Sequence, residues 1–142
     1  MRLSELRRTL AGSEAAYAEF TVLLVDLDTV PSDGVDVIVS PLREVEIDAD
    51  AGEIRLYSAA QRPGTDKPPL ALFEEFNGLL PLAGVYDVDF TVLIQLPIAP
   101  EDPQGQVPEL KPLAGVWIGR EEEEVWLLVR DVSGYPADLL PR

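Results

Sequence analysis

Residues 112–129, PLAGVWIGREEEEVWLLV, place apolar side chains at alternate positions on either side of an acidic run. Val116 and Ile118 flank Trp117, and Val125 and Leu127 flank Trp126. This is the period-2 pattern of two strands whose successive side chains point to opposite faces. With Glu121, Glu122, Glu123 and Glu124 near the reversal, the two strands form a hairpin. Residue numbers in an antiparallel pair sum to a constant. Pairing Ile118 with Val125 therefore sets Val116 against Leu127 on one face and Trp117 against Trp126 on the other.

Residues 41–57, PLREVEIDADAGEIRLY, obey the same rule 71 positions earlier. Val45 opposes Leu56 and Ile47 opposes Ile54, while the other face pairs Glu46 with Arg55. An ion pair in one hairpin thus stands where the other has two tryptophans. The resemblance extends upstream at an offset of 70, where Phe73, Phe76 and Leu80 repeat the helical spacing of Leu3, Leu6 and Leu10. Residues 90–94, FTVLI, repeat residues 20–24, FTVLL, each an apolar and β-branched run expected as a buried strand. Six of 17 positions match between the hairpins, where unrelated sequence gives about one in 17.

These patterns predict an α+β fold of two tandem α-β-β-β units, an internal duplication whose antiparallel sheets share one core. The first unit is expected over 1–60 and the second over 70–130. Between them, 61–69 (QRPGTDKPP) carries three prolines and a glycine and reads as a linker. Val35, Val37 and Val39 predict a second strand after turn residues Pro31, Ser32 and Asp33. Its counterpart in the second unit is the weak stretch 107–111, within a crossing rich in proline. The tail, 131–142, is expected to be irregular, anchored by Tyr135 and Leu139. A unit of about 65–70 residues is marginal alone, so one compact domain follows.

Composition narrows the chemistry. The 142 residues include no cysteine and no histidine, which removes thiolate nucleophiles, disulfides and the commonest general base and metal ligand. No serine lies in a nucleophile-elbow context and no glycine-rich phosphate loop occurs. No catalytic residue, cofactor or resident metal is expected. The formal charge of −15, from 26 acidic and 11 basic residues, disfavours nucleic acid and anionic membranes as partners and favours a basic one. The start, MRLSELRRTL, is amphipathic and unlike a signal peptide, and no long apolar run spans a membrane, so a cytoplasmic protein is expected.

Two candidate surfaces remain. The first is the face bearing Trp117 and Trp126, with Gly115, Gly119 and Leu128 beside them. Two exposed indoles are unfavourable, and the flanking glycines admit a closely approaching surface. The plainer explanation is packing against the other unit or a second copy of the chain. The second candidate is the turn Glu121, Glu122, Glu123 and Glu124, either a docking point for a basic partner or a charged, soluble loop. Residues 48–52 (DADAG) fail the calcium-loop test, because counting from Asp48 puts glycine fifth and Ala59 twelfth. The pairs Asp26 with Asp28 and Asp87 with Asp89 bracket the apolar strands as charged strand ends. The sequence thus predicts a non-catalytic acidic module that engages a protein partner, of the inhibitor or immunity kind, through the tryptophan face. A self-assembling homodimer is the alternative, and a carboxylate-dependent metal enzyme a remote third.

Overall fold

The computed structural model describes residues 1–10, 16–30, 34–58, 72–81, 89–95, 110–135 and 137–142. The linker 61–69, Pro31, Ser32, Asp33, Asp87 and most of the proline-rich crossing lie outside the described residues. Helix α1 (Leu3–Leu10) precedes strands β1 (Thr21–Val30), β2 (Gly34–Pro41), β3 (Glu44–Asp48) and β4 (Glu53–Tyr57). Helix α2 (Phe73–Leu79) precedes β5 (Thr91–Gln95), β6 (Lys111–Pro112), β7 (Gly115–Gly119) and β8 (Glu124–Leu128). An α+β fold is the result, with the strands in two sheets of four, ordered β2-β1-β8-β7 and β3-β4-β5-β6.

Both hairpin registers run as the alternation dictates, with Trp117 opposite Trp126 and Glu46 opposite Arg55. The sheets, however, are mixed where antiparallel ones were expected. Strand β1 pairs with β8 in parallel, Thr21 opposite Glu124, and β4 pairs with β5 in parallel, Glu53 opposite Thr91. Each sheet therefore takes two strands from either side of the 61–69 segment. Alternation and turn residues report on strands joined by short reversals. A parallel join between strands far apart in sequence leaves no local mark.

The helices cross over in the same way. The Leu3 N–H donates to Phe90 O at 2.8 Å and the Phe73 N–H donates to Phe20 O at 2.8 Å. Each helix is thus fastened to the strand from the other half of the chain. At the start of α1, Asp89 accepts from the Ser4 N–H at 3.1 Å and from Ser4 Oγ at 2.7 Å, which satisfies an amide that the helix itself leaves open. The Ser4 hydroxyl, then its amide, hold the Asp89 carboxyl below the usual range.

Leu3, Leu6 and Leu10 from α1 share one buried cluster with Phe73 and Phe76 from α2 and with Leu80 just after it. The same cluster takes Val22 and Leu24 from β1, Val92 and Ile94 from β5, and the inward residues of β4 and β8. Full burial of each such side chain contributes about 1.5–3 kcal/mol, so this layer is the main source of stability. Each hairpin turn holds one residue in the left-handed region, and the residue type differs. Gly52 holds φ at 67° and its counterpart Glu123 holds φ at 57°, while their carbonyls accept the Thr91 and Thr21 amides at 2.9 Å. A residue with a Cβ is strained there, so Glu123→Gly is expected to raise stability by about 0.5–1 kcal/mol in denaturant titration.

Candidate functional site: the tryptophan face and the acidic turn

The outward row across the first sheet reads Trp117, Trp126, Leu23 and Pro41. In the second sheet the matching row reads Glu46, Arg55, Leu93 and Pro112. The rows differ only in the hairpin pair, and so does what surrounds them. Arg55 lies against Glu46, reaches Asp48 at 3.0 Å and Glu53 at 3.5 Å, and leaves a partly hydrated charged surface. These carboxylates, Glu46 first, hold the guanidinium proton more tightly than usual.

The tryptophan face is covered by the chain's own tail. After β8 come two short 3-10 turns, Val132–Gly134 and Ala137–Leu139. Tyr135 is buried with Val25, Trp126 and Leu128, and Trp117, Val132 and Leu140 pack around them. Tyr135 Oη donates to Val25 O at 3.2 Å. Burial, then the nearby Asp26 charge, push the phenol up to about 12. Of the two expected anchors, Tyr135 is buried and Leu139 is half-buried, with Leu140 the residue packed into the cluster. Trp117 Nε1 donates to Pro141 O at 2.6 Å.

The glycines show why the tail fits. A Cβ on Gly119 would lie 2.7 Å from Pro141 Cβ, and one on Gly115 would lie 3.3 Å from Arg130 O. Both residues are buried by close passage of the segment after β8. Leu128 is also fully buried.

At the turn, Glu121, Glu122 and Glu123 are exposed, whereas Glu124 is half-buried and accepts from Trp126 Nε1 at 2.7 Å. The acidic run therefore divides into three solvent-facing carboxylates and one bound to an indole. The Glu121 and Glu122 amides donate to Arg142 O at 2.7 and 2.9 Å. In the other hairpin the amide equivalent to that of Glu122 belongs to Ala51, and it donates to Asp48 Oδ1 at 3.0 Å. That bond is the leading cause of the lowered Asp48 carboxyl, with Arg55 and then the Asp50 amide adding to it. Gly119 stands where Asp48 stands, so the second turn lacks its own acceptor and takes a backbone oxygen from the tail.

A further charged site was not legible as such. Asp26, read as a strand end, is buried, and Lys111 Nζ at 2.8 Å and Arg130 Nε at 3.2 Å converge on it. Lys111 comes from β6 of the other sheet, so this pair ties the two sheets together. The only sequence signal was a carboxylate closing the apolar run 20–25, which named no partner. Among the described residues no group of three or more His, Cys, Asp or Glu is arranged to hold a metal ion, and no helix is long and apolar enough to cross a membrane. No family model, curated protein or solved structure matches the chain.

Proposed function

We propose that the protein is a non-catalytic, acidic binding module of the cytoplasm that engages a basic protein partner through its second hairpin, in the manner of an inhibitor or immunity protein. The observation that carries this reading is the exposure of the Glu121, Glu122 and Glu123 side chains on a turn whose backbone is held in place. The first two amides are held by Arg142 O and the third residue's carbonyl by the Thr21 amide. Like charges fixed in this way bind a cationic surface without the ordering cost of a mobile loop. The matching contacts of the two halves support, in the same reading, an origin by internal duplication.

Calorimetric titration with an oligolysine peptide tests the reading. Binding is expected to weaken steeply between about 0.05 and about 0.3 M salt as screening sets in. It should fall tenfold or more with Glu121→Gln, Glu122→Gln and Glu123→Gln combined. The control Glu44→Gln with Asp50→Asn, on the other acidic hairpin, should leave it unchanged. Equal losses from both sets would reduce the acidic turn to a share of the overall charge.

A second reading, assembly as a homodimer, is favoured by Ile38 and Val39, which are 37% and 42% exposed on β2 at a sheet edge. Exposed apolar edge strands are templates for pairing. That reading requires a solution mass above 15.6 kDa that Val39→Lys returns to the monomer value.

A further inference from the structure

We infer that the second hairpin's turn and tryptophan face form a cradle for a peptide segment of apolar residue, proline and one further residue, which the chain's own 140–142 occupies until a partner segment of the same chemistry displaces it. The inference rests on the binding-module reading and names the partner's contacting chemistry. Three donors serve the backbone oxygens of two successive residues. Trp117 Nε1 takes Pro141 O at 2.6 Å, and the Glu121 and Glu122 amides take Arg142 O at 2.7 and 2.9 Å. Gly119 is the floor, since the proline ring lies where any Cβ would point, with Pro141 Cβ only 2.7 Å from that position. Leu140 packs into the apolar cluster around Trp126 and Tyr135.

Comparison with the first hairpin shows that these donors are not demanded by the turn itself. There Asp48 accepts the Ala51 amide at 3.0 Å, and the hairpin closes on its own carboxylate. Replacing that carboxylate by Gly119 leaves paired amides that require an oxygen from elsewhere, a backbone nest of the kind that binds anionic or carbonyl oxygen. The seat opposite is an indole N–H. Together they recognise backbone, with the proline ring restricting the conformation in which its own carbonyl and the next residue's backbone oxygen are presented. A segment that supplies these groups from a partner meets the same three donors as the tail.

The test uses the full chain and an amidated synthetic octapeptide of residues 135–142. Leu140→Asp places a charge in the apolar cluster and loosens the tail's end. Pro141→Gly, which removes the ring over Gly119 and frees the backbone there, serves in the same assay should the first variant fold poorly. Followed by the indole N–H resonances, the loosened and folded variant is expected to bind the octapeptide at least tenfold more tightly than the unmodified chain. Adding Gly119→Asp, which gives the turn its own acceptor as Asp48 does in the first hairpin, should abolish that binding. A folded, loosened variant with no affinity for the octapeptide, or binding that survives Gly119→Asp, overturns the inference. Oligolysine binding at Glu121, Glu122 and Glu123 is measured on the same variants, and its persistence with octapeptide binding lost would sink the cradle alone. Loss of oligolysine binding with the octapeptide still bound would sink the charge-based reading alone.

Discussion

Lys111→Met combined with Arg130→Met is expected to lower the unfolding free energy by about 3 kcal/mol, the low end of the range for removing charged partners of a buried carboxylate. Asp26 is the reason. Its side chain is only 5% exposed, whereas Lys111 and Arg130 are 48% and 53% exposed. The cations lose little hydration in the fold, so their removal costs little on their own account. The carboxylate, in contrast, is taken out of water and depends on charged donors from two directions. Adding Asp26→Asn to the double variant should recover at least half of the loss, because a neutral amide has far less hydration to forgo. Denaturant titration of the three proteins measures this. A double-variant loss under about 1 kcal/mol, or no recovery with Asp26→Asn, would mean that the ion pairs are incidental to the joining of the sheets.

Gly119→Val is expected to cost about 2–4 kcal/mol and to detach the end of the tail. The added side chain would collide with Pro141, 2.7 Å from the new Cβ, and the tail must move. Moving it removes the Trp117–Pro141 hydrogen bond and both bonds to Arg142 O, leaving the Glu121 and Glu122 amides to water. Gly119→Asp displaces the tail equally but supplies an acceptor to those amides, so it should cost about 1 kcal/mol less than valine. Tyr135 gives an independent readout. In the folded chain its phenol is pushed up to about 12 from an ordinary value of 10.0. Because the folded state holds the proton more tightly, the stability it contributes is complete below about pH 10 and is lost as pH rises toward 12. In the valine variant a loosened tail should let the phenolate absorbance appear at lower pH. An unchanged titration would show that the tail stays in place.

The sequence made the hairpins legible because alternation and the constant-sum rule act on strands joined by short turns. Trp117 with Trp126 and Glu46 with Arg55 are direct consequences. The helix faces were legible for the same reason, Leu3, Leu6 and Leu10 recurring at helical spacing. What could not be read was any contact set by the path of the chain. The parallel joins β1 to β8 and β4 to β5 exchange strands between halves, and either arrangement leaves the same apolar pattern on each strand. The two glycines did signal a close approach, but nothing local says whether the approaching surface is a second unit, a second copy or the tail. Composition of the tail, with Gly134, Pro136 and Pro141, spoke for irregular structure and hid its role as a cover. Asp26 was hidden because its cations lie 85 and 104 residues away.

The tryptophan face and the acidic turn make one surface in this account, and the two indole N–H groups report on both parts of it. Trp126 Nε1 is bound to Glu124 at the acidic turn, and Trp117 Nε1 is bound to Pro141 of the tail. The most direct measurement is a two-dimensional nitrogen–proton spectrum of the isotope-labelled chain during titration with oligolysine. Saturable shifts of the Trp126 indole and of the Glu121, Glu122 and Glu123 amides, with the Arg55 hairpin unmoved, are the predicted result. Shifts spread evenly over both acidic hairpins, or none at the Trp126 indole, would contradict the claim that this hairpin is the binding surface.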